Sequence, residues 1–353
     1  MKILYAAGLS ERDSSLYRLW ALERLGHTVV ALNAYEYQAQ NALVQKVVHR
    51  LAAGPGMARM NRDLLQMAER EKPDVVWADK LLGMKPKTLD RLRGMGIVTV
   101  SYMIDNPFGP RQDPGWRLYM KGIPHYDLHV VQRDKNIADY KARGARDVIK
   151  IQTAYEPTIH FPAPEGWGEA QRTREISFVG TPYDDRAETL KRLAAVKEFG
   201  VTISGSPRAW GKALGPEAFA EIFRGQELYL KEYREAIWGA KINLSFLTHS
   251  NQDEFVHKSF EIAGCGGFLL AERSEGHSAR FVEDEEAVFF TGFDELLAKI
   301  RRWLPDEAGR ARIGAAGRVR AVRDGYNNDR QMELIAERAG QILEARRVGA
   351  VEG

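Results

Sequence analysis

The order of apolar strands and amphipathic helices constrains this chain most. At the amino terminus an apolar run at residues 3–6 is followed by a glycine, by leucines at helical spacing over 14–25, and by a second apolar run at 27–32. Such a strand–helix–strand unit needs a right-handed crossover and a parallel sheet. The alternation continues, with strands predicted at 74–77, 98–102 and 128–131. The first half is therefore predicted to be a doubly wound α/β domain.

A second alternating set follows a stretch at 157–164 that contains three prolines and suits a stiff connector. Strands are predicted at 176–180, 201–205, 242–246 and 267–270, and helices at 185–198 and 258–263. A last helix, 328–346, places Met332, Ile335, Ala339, Ile342 and Leu343 along one face, which must pack on another element. The pattern predicts two similar domains, 1–156 and 165–325.

Composition excludes several classes of protein. The only cysteine is Cys265, so an intramolecular disulfide framework and a cysteine-based metal site are excluded. No apolar run approaches the length of a membrane span. The apolar run at the amino terminus is too short for a signal peptide, and too few charged residues flank it. We therefore expect a cytoplasmic location.

Charge differs between the two halves. Residues 1–150 carry 24 Lys and Arg against 16 Asp and Glu, whereas residues 151–353 carry 27 against 32. The basic excess is either solvated surface or the mark of an anionic acceptor or a peripheral membrane contact. Nucleic acid is not expected as a partner, because the basic residues are not interleaved with an aromatic platform and no zinc-finger, RNP or basic-zipper pattern occurs.

Several common catalytic motifs are absent. Gly211-Lys212 is followed by Ala213, so there is no P-loop, and no G-x-G-x-x-G follows the first strand. Neither G-x-S-x-G nor H-E-x-x-H occurs. His125 and His129 have the spacing of metal ligands on a helix, but the segment between them leads into a predicted strand. We predict no metal site.

The most informative stretch is 253–270. It begins with the acidic residues Asp253 and Glu254, which are followed by a short helix, a Gly-Cys-Gly-Gly turn that contains Gly266, and a buried strand. The turn would let a ligand approach the backbone closely. Glu261 can accept two hydrogen bonds from vicinal hydroxyl groups, as on a ribose or another sugar. The alternative is that Glu261 is merely a solvated helix residue.

This stretch resembles glycosyltransferases with the GT-B fold. Residues 258–270 read Lys-Ser-Phe-Glu-Ile-Ala-Gly-Cys-Gly-Gly-Phe-Leu-Leu, which is similar to a phrase in the family related to the spore-maturation protein CgeB, and the likeness spans about 242–335. The resemblance implies that the second domain binds a nucleoside-diphosphate sugar, with Glu261 on the ribose and Asp253 near the sugar. Lys258 replaces the family's usual arginine, which keeps the charge but loses the bidentate fork.

A second likeness to these enzymes lies at 176–186. It implies that Gly180, which has no side chain, lets the pyrophosphate approach the main chain. It also implies that Arg186 offsets the charge of the departing diphosphate without a metal ion. The alternative for Arg186 is a solvated helix arginine. Ser206 lies in a loop similar to the one that often holds the base.

In the first domain, Asp105 follows a strand, at the end where doubly wound sheets bind ligands, and could act as a base toward an acceptor hydroxyl. The alternative is an Asx turn in Asp-Asn-Pro. Gly8 and Ser14 are candidates for the acceptor side, with a simple turn and helix capping as the other interpretation.

The expected fold is therefore α/β, with two Rossmann-like doubly wound GT-B domains facing across a cleft, and the resemblance implies that 326–353 packs back on the first. The expected reaction moves a sugar from a nucleotide sugar to a hydroxyl of a saccharide, glycan, lipid-linked or protein acceptor, with no cofactor and no metal. The alternatives are a nucleotide-sugar epimerase of the same fold and a non-catalytic binding protein.

Overall fold

The structure is a computed structural model that describes residues 1–111 and 113–351. The chain divides into two compact units. Unit 1 consists of Met1–Gln152 and Asp329–Gly353, and unit 2 of Thr153–Asn328. Residues 157–164, which were expected to connect two domains, are part of unit 2.

Strands and helices alternate along the first stretch of unit 1, within the described residues. In chain order they are β1 (Lys2–Ala7), α1 (Ser14–Arg24), β2 (Thr28–Asn33), α2 (Ala42–Leu51), α3 (Pro55–Glu71), β3 (Val75–Asp79), α4 (Pro86–Gly94), β4 (Val98–Tyr102), α5 (Trp116–Gly122), β5 (Leu128–Val131), α6 (Asp134–Ala142) and β6 (Val148–Lys150).

The same alternation runs through unit 2, and a final helix returns to unit 1. The elements are β7 (Arg174–Val179), α7 (Arg186–Ala195), β8 (Val201–Ser204), α8 (Pro207–Leu214), α9 (Pro216–Ile222), α10 (Leu230–Trp238), β9 (Ala240–Ser245), α11 (His257–Gly264), β10 (Leu269–Glu272), α12 (Glu275–Ser278), β11 (Val288–Phe290), α13 (Gly292–Trp303), α14 (Glu307–Arg323) and α15 (Asn328–Val351).

Unit 1 is built on a parallel sheet of order β2-β1-β3-β4-β5-β6. Alternate residues of β1 enter different cores, as the two-residue period of a strand requires. Ile3 and Tyr5 pack with α1 and with the apolar face of α15, whereas Leu4 and Ala6 pack with α3 and α4. The apolar stripe predicted on the last helix thus covers one face of the unit 1 sheet, through Met332 and its neighbours.

Unit 2 is built on a second parallel sheet, of order β11-β10-β9-β7-β8. Ile176 and Phe178 of β7 pack against helices on one face, and Leu269 and Ala271 of β10 pack with Phe260 of α11 on the other. Two doubly wound α/β units are what the sequence predicts, and this fold class is confirmed.

Candidate active site

The strand order of unit 2 indicates a candidate ligand-binding edge. The chain leaves β7 for β8 on one side and passes to β9 on the other. Doubly wound sheets bind ligands outside the carboxyl ends of strands at such a switch point. The loops after β7 (residues 180–185) and after β9 (residues 246–256), together with the start of α11, form this end of the sheet, which we call the β7/β9 edge.

Two predicted site residues meet near this edge through a tyrosine. Lys258 and Glu261 are three residues apart on α11 and therefore share one face of the helix. The Tyr233 hydroxyl, from α10, donates to Glu261 Oε2 at 2.7 Å, and Lys258 Nζ donates to the Tyr233 oxygen at 3.4 Å. All three side chains are partly buried. The solvated-helix interpretation of Glu261 is therefore wrong.

The ionisation of this group follows from its surroundings. Burial raises the pKa of Glu261, but His160, Lys258 and the Tyr233 hydrogen bond outweigh burial, and the net pKa lies below the ordinary value. Burial lowers the pKa of Lys258 to about 8, although Glu261 opposes this shift. At neutral pH the group offers a carboxylate acceptor beside a cation that loses its proton under mildly alkaline conditions.

His160 supports the group from within residues 157–164. Its ring is buried and meets the Tyr233 ring edge-on, with centroids 5.7 Å apart. The Glu156 backbone N–H donates to His160 Nδ1 at 3.0 Å, which fixes the ring orientation. Burial lowers the pKa of His160, while the charges of Glu261 and Glu156 act in the other direction. Sequence reasoning missed both His160 and Tyr233.

Arg186 begins α7 and is buried, with only 6% of its surface exposed. Its Nη2 donates to Leu247 O and Thr248 Oγ1, both at 2.9 Å, and its Nη1 donates to Thr181 O at 3.2 Å. The guanidinium therefore ties the loop after β7 to the loop after β9. A solvated helix arginine, the alternative from sequence, is wrong, while contact with a diphosphate stays a prediction.

Asp253 lies in the loop after β9, at the same edge. It accepts a hydrogen bond from Asn251 Nδ2 at 2.8 Å. Burial lowers the pKa of Arg186, whereas the charges of Asp184 and Asp253 raise it, so both carboxylates are close enough to act on the guanidinium. The predicted role of Asp253 near the sugar is not tested by these contacts.

The predicted glycine loops pack closely on each other. A Cβ atom on Gly205 would lie 2.2 Å from Gly180 O, so no side chain fits there. A Cβ atom on Gly180 would lie 3.5 Å from Lys258 Cε, which links this loop to the Lys258 group. Ser206 Oγ accepts from the Ala209 N–H at 3.4 Å and so caps α8. The contact of Ser206 with the base of a nucleotide stays a prediction.

Gly266 lies at the opposite end of the sheet. Helix α11 runs from the carboxyl end of β9 to the amino end of β10, and Gly266 is in the turn that precedes β10, with φ of 69°. Helix α14 covers this turn, since a Cβ atom on Gly314 would lie 2.6 Å from Gly266 O. The turn packs against α14 and lies away from the β7/β9 edge, although Gly266 also lines a cavity of about 310 Å³. The expected ligand approach at Gly266 stays a prediction.

In unit 1 the switch point lies between β1 and β3, and a cavity of about 330 Å³ opens beside it. Gly8 lines this cavity, where a Cβ atom would lie 2.8 Å from Tyr35 Cζ. The Tyr35 hydroxyl donates to Asp13 Oδ2 at 2.9 Å. Burial, together with Asp13, raises the pKa of Tyr35 to about 12, so the cavity wall carries a neutral phenol beside a carboxylate.

Beneath this cavity lies a buried ion pair that sequence reasoning also missed. Arg18 donates from Nε and Nη2 to the two oxygens of Asp79, at 2.6 and 2.9 Å, and both residues are 1% exposed. Tyr5 also donates to Asp79. Ser14 Oγ accepts from Arg18 Nη1 at 3.1 Å. Ser14 is thus held by the ion pair, and the helix cap is Asp13.

Asp105 follows β4 and pairs with cations. Lys80 Nζ, from the loop after β3, lies 3.3 Å from Asp105 Oδ2, and Arg111 Nη1 lies 4.0 Å from Oδ1. Lys80 also lines the cavity. The Asx turn exists, but Asn106 forms it, because Asn106 Oδ1 accepts from the Phe108 N–H at 3.1 Å. The Asp105 carboxylate therefore remains near the cavity, and its role as a base stays a prediction.

Two features of other protein classes were not found in the part of the chain that the structure describes. No three or more His, Cys, Asp or Glu side chains stand together as ligands for a metal ion. No helix over residues 1–111 or 113–351 has the length and apolar character needed to cross a membrane.

Comparison with known proteins fits this geometry. A family model described as glycosyl transferase-like matches residues 186–337. No curated protein matches the chain. Among solved structures, sucrose-phosphate synthase from Thermosynechococcus elongatus has a TM-score of 0.68 at 13% identity, with 98% of this chain and 100% of that chain covered.

Two further structures have similar folds. HepE from Anabaena, in complex with UDP-glucose, has a TM-score of 0.66 at 14% identity, with 97% of this chain and 100% of that chain covered. A glycosyltransferase from Rickettsia africae has a TM-score of 0.65 at 12% identity, with 97% and 98% covered. Residues 186–337 thus match a glycosyl transferase-like family model, and the fold that the chain shares with these solved structures is the GT-B fold.

Proposed function

We propose that unit 2 binds a nucleoside-diphosphate sugar at the β7/β9 edge and that unit 1 binds the acceptor, whose hydroxyl group receives the sugar. In this reaction the bond from the sugar's anomeric carbon to the diphosphate breaks and a bond from that carbon to the acceptor oxygen forms. The acceptor hydroxyl loses its proton, for which Asp105 is the proposed base. The acceptor is a saccharide, glycan or protein hydroxyl, and the basic excess of residues 1–150 supports an anionic one.

The observation that carries the donor proposal is the arrangement of Lys258, Tyr233 and Glu261. An ionised glutamate has two oxygens, each of which can accept hydrogen bonds from vicinal ribose hydroxyls. One of these oxygens, Glu261 Oε2, already accepts the hydrogen bond of 2.7 Å from the Tyr233 hydroxyl. Lys258 supplies a positive charge beside that carboxylate, and the first turn of α11 supplies N–H groups for a diphosphate. The UDP-glucose complex of HepE supports testing uridine nucleotides first.

We propose that the protein belongs with the CgeB-related glycosyltransferases. This proposal is supported by the sequence at residues 258–270, which is similar to the motif of that family except that Lys258 replaces the usual arginine. We also propose that transfer needs no metal ion, since Lys258 and the α11 N–H groups can offset the charge on the departing diphosphate. The cytoplasmic location is supported by the single cysteine.

A thermal-shift screen of the full chain with uridine, guanosine, adenosine and thymidine diphosphates tests the donor proposal. A ligand at about 100 times its dissociation constant stabilises a protein by about 2.7 kcal/mol, which raises the melting temperature by several degrees. One diphosphate should stand out. If none shifts the melting temperature at millimolar concentration, the donor site is wrong.

Glu261→Ala is the decisive variant. Removing the carboxylate should lower diphosphate affinity about ten- to a hundredfold, because hydrogen bonds to charged groups contribute about 1.5–3 kcal/mol. Glu232→Ala is the matched control, because Glu232 is an exposed glutamate on α10 next to Tyr233. Equal losses in both variants would contradict a specific ribose contact.

A further inference from the structure

Helix α2 exposes an apolar stripe to solvent. Leu43, Val47 and Leu51 recur every fourth residue, so they lie on one face, and their exposed fractions are 72%, 56% and 62%. Val44, adjoining this face, is 51% exposed. Over the described residues, four of the twelve exposed large apolar side chains are on this ten-residue helix. We call Leu43, Val44, Val47 and Leu51 the α2 face.

Cations border the α2 face. Lys46 and Arg50 are also four residues apart and are exposed alongside it. The surrounding sequence, residues 37–62, contains four Lys and Arg and no Asp or Glu. The side chains turned toward the rest of unit 1 are Gln45 and Val48, which are partly buried. An apolar stripe with cations on its flank, in a stretch of sequence without acids, is complementary to an anionic lipid surface.

The same helix forms a wall of the unit 1 cavity. Gln45 and Val48 line that cavity on the inner side of α2, and Met57 and Met60 of α3 line it as well. A second cavity of about 290 Å³, lined by Val44 and Val48, adjoins the helix. Any surface that covers the α2 face is therefore one helix diameter from the proposed acceptor cavity.

We propose that α2 is an interfacial helix that docks unit 1 on an anionic membrane surface, where the cavity receives an acceptor held in that membrane. The docking part is independent of catalysis, whereas the statement about the acceptor rests on the proposed function. Insertion of the α2 face removes its side chains from water, and Lys46 and Arg50 contact lipid headgroups.

Co-sedimentation of the full chain with vesicles tests the docking. We expect binding to phosphatidylglycerol vesicles and weaker binding to phosphatidylcholine vesicles. Leu43→Gln/Val47→Gln/Leu51→Gln should lower binding to both kinds of vesicle by at least about tenfold, because each substitution removes aliphatic surface that would insert into the bilayer. Lys46→Gln/Arg50→Gln should lower binding to phosphatidylglycerol by about fivefold per charge and leave phosphatidylcholine binding unchanged.

A matched control uses exposed apolar residues elsewhere. Val319 and Val322 of α14 are 65% and 51% exposed, so Val319→Gln/Val322→Gln should leave vesicle binding unchanged. An equal loss in this control, or no binding of the native chain to phosphatidylglycerol, overturns the docking proposal. A dimer that the triple glutamine variant converts to monomer would make a second copy the occupant, which also overturns it.

The diphosphate thermal shift separates this inference from the proposed function. An intact shift together with failed vesicle binding overturns only the docking, and the reverse result overturns only the donor site. The acceptor is tested with a membrane lipid extract and a set of labelled nucleotide sugars that carry the nucleoside diphosphate selected by the screen. Label in the organic phase, lost in the triple variant, supports a membrane-held acceptor, and label confined to the aqueous phase overturns it.

Discussion

The two units have the same architecture but differ in how charged side chains are paired at the carboxyl ends of their strands, where ligands are proposed to bind. In unit 1, Arg18 and Asp79 form a closed bidentate pair with both side chains buried. In unit 2, Lys258 and Glu261 meet through Tyr233 rather than in a direct ion pair. A closed pair satisfies its own charges and holds structure, whereas an open pair has hydrogen-bonding capacity for a ligand.

The largest expected effect is on the closed pair. Arg18→Met leaves the Asp79 carboxylate buried without its cation and should lower the free energy of unfolding by about 3–5 kcal/mol. Arg91→Met, in the exposed pair with Glu69, should change it by less than about 1 kcal/mol. Chemical denaturation measures both. Similar values for the two variants would remove the contrast between a closed pair and a surface pair.

Asp105 tests whether unit 1 also contributes to chemistry. If it is the base, Asp105→Asn should lower the turnover number by about a hundredfold while leaving diphosphate affinity unchanged. Asp113→Asn is a control, because Asp113 lies in the same loop region and pairs with His49. Steady-state kinetics with saturating donor makes the measurement. Full activity of the Asp105→Asn variant would leave Asp105 as an ion-pair residue only.

The open pair predicts a pH dependence of about tenfold or less. Since the pKa of Lys258 is about 8, its positive charge is present below that pH, and diphosphate affinity should fall between about pH 7 and 9.5 as the charge is lost. Lys258→Arg should bind with little pH dependence, because arginine stays charged. Calorimetric titration measures the affinities. An unchanged affinity of the native protein at pH 9.5 would place Lys258 away from the diphosphate.

The same pKa has a consequence for stability with the opposite sign. The unfolded lysine titrates near its ordinary pKa of 10.5, so between about pH 8 and 10.5 the unfolded chain binds more protons than the folded one. This lysine therefore makes the folded state more stable as pH rises through that window. Comparison of native protein with Lys258→Met in denaturant at the two pH values isolates this contribution.

The smallest expected effect is that of metal removal. Turnover should be the same in excess EDTA, because Lys258 and the α11 N–H groups are proposed to offset the leaving-group charge. Loss of turnover that magnesium or manganese restores would show that unit 2 needs a cation which its own side chains do not replace.

Sequence periodicity predicts both sheets because buried parallel strands and amphipathic helices each have a distinct spacing. It misses the short strands β6 and β11, which have only three residues each. Lys258 and Glu261 are predictable because both lie in one short motif. Tyr233 is not, since it is 28 residues from Glu261 in sequence and reads as an ordinary helix residue.

Local sequence patterns likewise do not predict which residues surround Arg186 and Gly266. From sequence, Arg186 is predicted to offset the charge of a diphosphate, with a solvated helix arginine as the alternative. Only the folded loops bring the carbonyl oxygens of residues 181, 246 and 247 around it. For Gly266, the sequence does not reveal that α14, much later in the chain, packs on its carbonyl oxygen. Tertiary contacts between distant segments decide both cases.

The path of the chain through the two units bears on how the protein is made. Unit 1 is discontinuous, since its last helix follows the whole of unit 2. On a ribosome, unit 2 has its complete sequence while the buried face of the unit 1 sheet still lacks Met332, Ile335 and Ala339. Maturation of unit 1 must therefore wait for the end of translation. A chain cut after Asn328 would retain a continuous unit 2 and leave unit 1 with an uncovered, aggregation-prone core.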